Sequence, residues 1–225
     1  MAQAGMHGLV GMAVQKMAGK KEWLVLGLIL GSFVPDMDNV GVAVATLTKV
    51  PTEGIHRTLT HSVFFMAAMV AVFYLISQWK KETRWLNLGL GLGLGMLLHS
   101  LVDFVLWFNG VELFWPLGGE INFWPNGYPS EGFKLFLEQA AEFLFFGLFL
   151  WALGIWARKF STDSEYMGTL RVWMWLEYAL FTVFAGALIF GKVFATISGV
   201  LYLFSLFMTF FVTIRMRKTV EAAIG

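Results

Sequence analysis

The chain has no cysteine, only five prolines among 225 residues, and charged residues make up just 14% of it. Without cysteine there are no disulfides and no thiolate ligands, so any bound metal must use nitrogen and oxygen donors. With 16 Lys and Arg against 15 Asp and Glu, the net charge is +1. No basic excess is available for a polyanion, so no nucleic acid is expected as a partner. Histidine is equally scarce: His7, His56, His61 and His99 are the whole set, and none follows His99. A chain that keeps every imidazole in one half is most simply read as building one metal site.

What is abundant is apolar. Hydrophobic residues are 58%, with 23 Phe and 10 Trp, and mean hydropathy is +0.69, far above an ordinary soluble domain. A bilayer core takes about 20 apolar residues per helix. Five segments meet that length: residues 59–79, 85–108, 133–157, 172–190 and 193–214. Two more, residues 5–17 and 23–34, reach only about 20 Å at 1.5 Å per residue and are expected as half-spans. The fold class expected is all-α, a polytopic membrane bundle of five long spans and two short N-terminal ones. Lys16, Lys20 and Lys21 follow the first apolar stretch instead of preceding it, so that stretch is expected to be retained and not cleaved as a signal peptide.

If the loop Lys80-Lys81-Glu82-Thr83-Arg84 faces the cytoplasm, 12 of the 16 Lys and Arg fall on that side. This bias supports a cytoplasmic C-terminus and sets Asp36, Asp38, His56 and His61 at the exoplasmic face. The chain is expected as a single membrane domain, residues 1–225, that changes chemistry near residue 132. Residues 1–132 carry the metal-site chemistry and a long outer loop, and residues 133–225 form a three-helix scaffold. That loop, residues 107–132, repeats Phe-Trp-Pro at Phe114-Trp115-Pro116 and Phe123-Trp124-Pro125. Its prolines and glycines exclude a regular helix; interfacial anchor and lid are both open readings. The run Gly89-Leu90-Gly91-Leu92-Gly93-Leu94-Gly95 lies inside an apolar span and fits no nucleotide-loop pattern. Glycines four apart, Gly89 with Gly93 and Gly91 with Gly95, instead permit close helix packing.

The candidate ligands sit on four segments. His99 and Asp103 are four apart and share one helix face; a carboxylate in hydrocarbon marks function unless it is a hydrogen-bonded structural pair. In Ile55-His56-Arg57-Thr58-Leu59-Thr60-His61-Ser62 the two imidazoles converge if His56 lies in the turn before a helix capped by Thr58 or Thr60. Arg57 between them either holds an anionic group in a forked contact or snorkels. Pro35-Asp36-Met37-Asp38 ends the second short helix at Pro35 and offers two hard oxygen donors, or a plain solvated turn. His7 alone is the weakest signal. Together four His and three Asp exceed the needs of one tetrahedral ion, so two or more ions are expected, and paired ions suit phosphoester displacement. Glu138 and Glu142, four apart near the exoplasmic end of their helix, are further candidate ligands or bases. Glu177 is expected to pair with Arg171 or to snorkel.

The ordered set His7, Pro35-Asp36-Met37-Asp38, His56-Arg57-Thr58-Leu59-Thr60-His61-Ser62, His99-Ser100-Leu101-Val102-Asp103 and Trp115-Pro116 resembles the YdjM-type family of membrane-bound, metal-dependent hydrolases, described as LexA-regulated inner-membrane proteins. The likeness covers about residues 1–117. It implies a multi-pass inner-membrane hydrolase with His7, Asp36, Asp38, His56, His61, His99 and Asp103 around metal. More remotely it implies similarity to zinc-dependent phospholipase C and P1-type nucleases. The expected function is hydrolysis of a lipid or lipid-linked phosphoester by water activated on Zn or Mn. Arg57 would steady the substrate and Asp38 or Asp103 would accept the proton. The competing readings are a divalent-cation transporter and a metal-stabilised membrane scaffold. Expected partners are membrane lipids and the small-molecule or lipid-linked substrate.

Overall fold

The computed structural model describes residues 4–106, 110–124 and 126–223, and among these the fold is helical throughout. The ends of two expected segments, Trp107 and Phe108 of the second long span and Pro125 of the second Phe-Trp-Pro, lie outside the described residues. Five helical stretches are long and apolar enough to cross a membrane: Val63–Lys80, Thr83–Leu106, Glu131–Phe160, Ser164–Ile189 and Ala195–Arg215. A sixth arises if Leu24–Gly31 and Pro35–Thr48, bent by 42° at their break, count as one broken span. The chain forms two compact units, residues 11–127 and residues 1–10 with 128–223.

Helix α1, Ala4–Ala13, begins in the second of these units and ends in the first. The unit of residues 11–127 then holds α2 (Leu24–Gly31), α3 (Asn39–Thr48), α4 (Val63–Lys80) and α5 (Thr83–Leu106). Its centre is α5, packed against α2 on one side and α4 on the other. The glycine run decides both contacts. A Cβ on Gly91 would lie 2.2 Å from the Leu24 carbonyl oxygen and one on Gly95 2.2 Å from that of Leu28. From the other side, a Cβ on Gly27 would lie 2.3 Å from the Leu88 carbonyl oxygen and one on Gly31 2.3 Å from that of Leu92. Backbones in this contact touch with no side chain between them, the use of small residues spaced by four in membrane helices. Gly89 and Gly93 face α4 instead, against Phe73 and Val70.

Two local expectations are corrected. The second short helix ends at Gly31, not Pro35. Pro35 instead occupies the first position of a tight turn, Pro35–Asp38, where its fixed φ and missing N–H are harmless, and the chain continues into α3, which was not expected. Helix α4 is capped by neither Thr58 nor Thr60; the Ser62 side chain accepts from the Phe64 N–H at 3.2 Å. Thr58 is turned away, its hydroxyl donating to the Gly54 and Ile55 carbonyls.

The other unit holds α6 (Glu131–Phe136), a wide π-turn at Leu137–Ala141, α7 (Glu142–Phe160), α8 (Met167–Ile189), α9 (Ala195–Arg215) and α10 (Arg217–Ala222). Here large rings fill the interior: Phe143 stacks on Phe184 at 5.2 Å, and Phe146 packs on Tyr202 at 5.9 Å. Gly5 of α1 seats on the backbone of Phe145 and Phe146. Glu177 neither snorkels nor reaches Arg171. It is 1% exposed, against Ser205 of α9.

Candidate metal centre

The close α2–α5 contact delivers the end of α2 to His99. The His99 ring Nδ1 lies 2.9 Å from the Ser32 carbonyl oxygen. A carbonyl only accepts, so Nδ1 carries a proton, and Nε2 is the ring nitrogen turned toward Asp36 and Asp103. This is the second-shell arrangement that orients metal-ligating imidazoles. The same break that follows Ser32 carries Asp36 inward. Asp36 is fully buried, and neither of its carboxylate oxygens has a hydrogen-bond partner among the described residues. Burying such a group without a partner is costly.

The loop between α3 and α4 supplies the other imidazoles. Asp38 organises it: its carboxylate lies 2.6 Å from His56 Nδ1, accepts from the Thr60 hydroxyl at 2.8 Å and from the Arg57 backbone N–H at 3.2 Å. Arg57 has φ +65°, a left-handed conformation that turns the chain sharply between the two histidines. His61 follows in the turn Leu59–His61, fully buried. Ser100 of α5 donates to the His61 carbonyl at 3.5 Å.

These pieces converge. The rings of His56, His61 and His99 form a row, with centroids 5.4 Å and 5.0 Å apart. His61 Nε2 and His99 Nε2 each stand 3.6 Å from Asp103 Oδ2, and His99 Nε2 stands 3.6 Å from Asp36 Oδ1. That separation is too long for a hydrogen bond. It is near the roughly 3.3 Å between two ligands that each sit about 2.0–2.1 Å from a tetrahedral ion. Wholly within the unit of residues 11–127, two triplets bring their donor atoms within 4.8 Å of one another: Asp36, His61 and His99, and Asp38, His56 and His61. They share His61. The donor set is all imidazole and carboxylate, which suits zinc or manganese, so the residues fit the ion.

The two loop histidines titrate in opposite directions. Burial opposes the charged form of both rings. At His56 burial wins over Asp38, and the pKa falls to about 4. At His61 burial is outweighed by the carboxylates of Asp103 and Asp38, and the pKa rises to about 9.

Six of the residues singled out in the sequence, Asp36, Asp38, His56, His61, His99 and Asp103, thus form one cluster in the unit of residues 11–127. Arg57 joins them, 7% exposed, with Nε 3.7 Å from Asp103 Oδ2. His7, 1% exposed on α1, belongs to the other unit, as do Glu142, also 1% exposed, and the half-buried Glu138. Sequence reasoning missed Ser32, whose contribution is a backbone carbonyl, and the part Thr60 plays on Asp38. The first left no trace in residue type; the second was visible only as a hydroxyl beside His61.

The aromatic loop is laced to this cluster. Glu112 N–H donates to the Arg57 carbonyl at 2.9 Å, Val63 N–H to the Leu113 carbonyl at 2.9 Å, and the Ser62 hydroxyl to the Trp115 carbonyl at 2.7 Å. Its outer side chains, Phe114, Leu117, Phe123 and Trp124, are exposed, as interfacial anchors are.

Among known proteins, the family described as YdjM inner membrane protein matches residues 1–220 of this chain. No curated protein and no solved structure matches it, so the remoter likeness to phospholipase C and P1-type nucleases gains no support there.

Proposed function

Because the chain belongs to the YdjM inner membrane protein family and carries this buried cluster, we propose that it is a membrane-embedded metal-dependent hydrolase acting on a phosphoester of a lipid or lipid-linked substrate. The observation that carries the reading is the triple 3.6 Å spacing among His61, His99, Asp36 and Asp103, all fully buried. Six imidazole and carboxylate side chains gathered in so small a volume are hard to explain as structure alone.

Asp36, His61, His99 and Asp103 would hold one divalent ion, Zn or Mn, and His56 with Asp38 would contribute toward a second. When bound, such an ion supplies Lewis acidity and lowers the pKa of water to near neutrality. The chain's own groups do the rest. The Ser32 carbonyl and the Asp38 carboxylate fix the tautomers and planes of His99 and His56. The proton acceptor is Asp38 or Asp103, whichever carboxylate the ion engages less. Arg57 provides a fixed positive charge beside Asp103, against which an anionic phosphoryl group is held. Water adds across the phosphoester: its oxygen bonds to phosphorus, the bond to the leaving oxygen breaks, and the proton passes by way of that carboxylate to the leaving oxygen.

We further place the cluster toward the exoplasmic face and the C-terminus in the cytoplasm, on the strength of the bias of 12 of 16 cations. His7, Glu138 and Glu142 remain candidate additions to the ligand set. The decisive measurement is metal content: the purified protein is expected to hold Zn or Mn stoichiometrically, and His99→Ala to lose both metal and phosphoesterase activity. A His99→Ala protein with unchanged metal content would sink the proposal.

A further inference from the structure

Away from the cluster, in the unit of residues 1–10 and 128–223, α7 and α8 enclose a cavity of about 200 Å³ lined by Trp151, Gly154, Arg158, Met167, Leu170, Arg171 and Met174. The lining is periodic on both helices. Trp151, Gly154 and Arg158 are spaced i, i+3, i+7 along α7, and Met167, Arg171 and Met174 are spaced i, i+4, i+7 along α8. Each set is therefore one face of its helix. Both arginines are exposed, no carboxylate lines the cavity, and no salt bridge is found for either arginine among the described residues. Gly154 lets the Leu170 side chain of α8 seat against α7, since a Cβ there would stand 2.8 Å from Leu170 Cδ2. From Arg158 the apolar wall runs seven residues deeper along α7 to Trp151, roughly 10 Å at the helical rise.

We propose that this groove binds one anionic phospholipid, its phosphate between Arg158 and Arg171 and the start of an acyl chain along Trp151, Gly154, Leu170 and Met174. Two planar forked donors match a phosphate geometrically, and basic pockets between spans on the cytoplasmic side hold anionic headgroups. Cations that only set orientation need to be numerous near the span ends. They need not converge on a cavity that is free of acid and apolar at its inner end. The neighbouring cations differ in this respect: Arg215, Arg217 and Lys218 share their own cavity with Asp163 and Glu165.

The test is lipid retention by the full chain in nanodiscs of phosphatidylcholine, alone or mixed with phosphatidylglycerol, read by mass spectrometry of the extracted complex. The expected result is one retained phosphatidylglycerol, with phosphatidylcholine not retained. Replacing both arginines (Arg158→Gln with Arg171→Gln) is expected to weaken retention roughly 30-fold, about fivefold for each cation near a membrane surface. The pair Arg217→Gln and Lys218→Gln should leave it unchanged. Met174→Trp keeps both arginines but fills the apolar end, and is expected to weaken retention too, which guards against misfolding of the arginine variant. Equal retention of phosphatidylcholine, equal loss in the Arg217 and Lys218 pair, or full retention in Met174→Trp would each overturn the proposal. Displacement of the lipid by inorganic phosphate alone would overturn it as well, by making this a free-phosphate site.

Discussion

Helices α2 and α5 meet backbone to backbone through glycines, whereas α7 and α8 meet through large side chains, Phe143 on Phe184 and Tyr178 and Leu170 seated on glycines of α7, and the polar chemistry follows that difference. Where Gly27, Gly31, Gly91 and Gly95 let two backbones touch, a main-chain carbonyl at Ser32 reaches a side chain at His99, and five further candidate ligands gather nearby. Where Phe143 stacks on Phe184, rings fill the space between helices, and Glu177 is buried beside the Ser205 hydroxyl. Small residues trade buried apolar volume for backbone proximity; large ones do the reverse.

The strongest way to break this contrast is Gly95→Leu. The new Cβ would collide with the Leu28 carbonyl at 2.2 Å, a backbone atom with nowhere to go. The α2–α5 pair is expected to separate, with loss of bound metal and a fall in unfolding stability beyond the usual 1–3 kcal/mol of overpacking, read by metal analysis and thermal unfolding in detergent. Phe146→Ala tests the other side. It should cost about 3–5 kcal/mol of stability while Zn or Mn stoichiometry is retained. If that variant also loses metal, the ring-packed unit is more than scaffold.

Finer effects sharpen the picture within the cluster. Asp38→Asn leaves the fold in place but loosens the orientation of His56, and is expected to lower metal affinity about 10–100-fold, measured by competition with a chelator. The smallest effect is one of pH. With its pKa raised to about 9, His61 of the metal-free protein carries a proton throughout the neutral range, and a metal must displace it. Affinity should therefore climb up to about tenfold per pH unit as pH rises toward 9 and level off above it. Affinity that is flat between neutrality and that point would remove His61 from the ligand set.

Much of this architecture is legible in residue order. The five long spans are found close to where apolar length places them, because a bilayer imposes one length on every helix that crosses it. His99 and Asp103 share a face because they are four apart. The bend at Pro35 is less legible: a proline can stop one helix or start the next, and here it starts the turn into α3. The cap of α4 was misplaced by two to four residues for a related reason, since Thr58, Thr60 and Ser62 are all competent caps and only the path of the loop selects Ser62.

Residue composition and order are enough to establish a membrane protein whose candidate ligands are nitrogen and oxygen, most of them before residue 104. The tertiary structure alone decided which donors meet: that His61 is common to both triplets, that Asp38 is taken up by His56, Thr60 and the Arg57 amide, and that a carbonyl sets the tautomer of His99. The reason is physical. Span length and helical spacing are periodic and local, so they are written in residue types, whereas an irregular loop and a backbone carbonyl acquire their partners only when glycine-lined helices bring distant segments into contact.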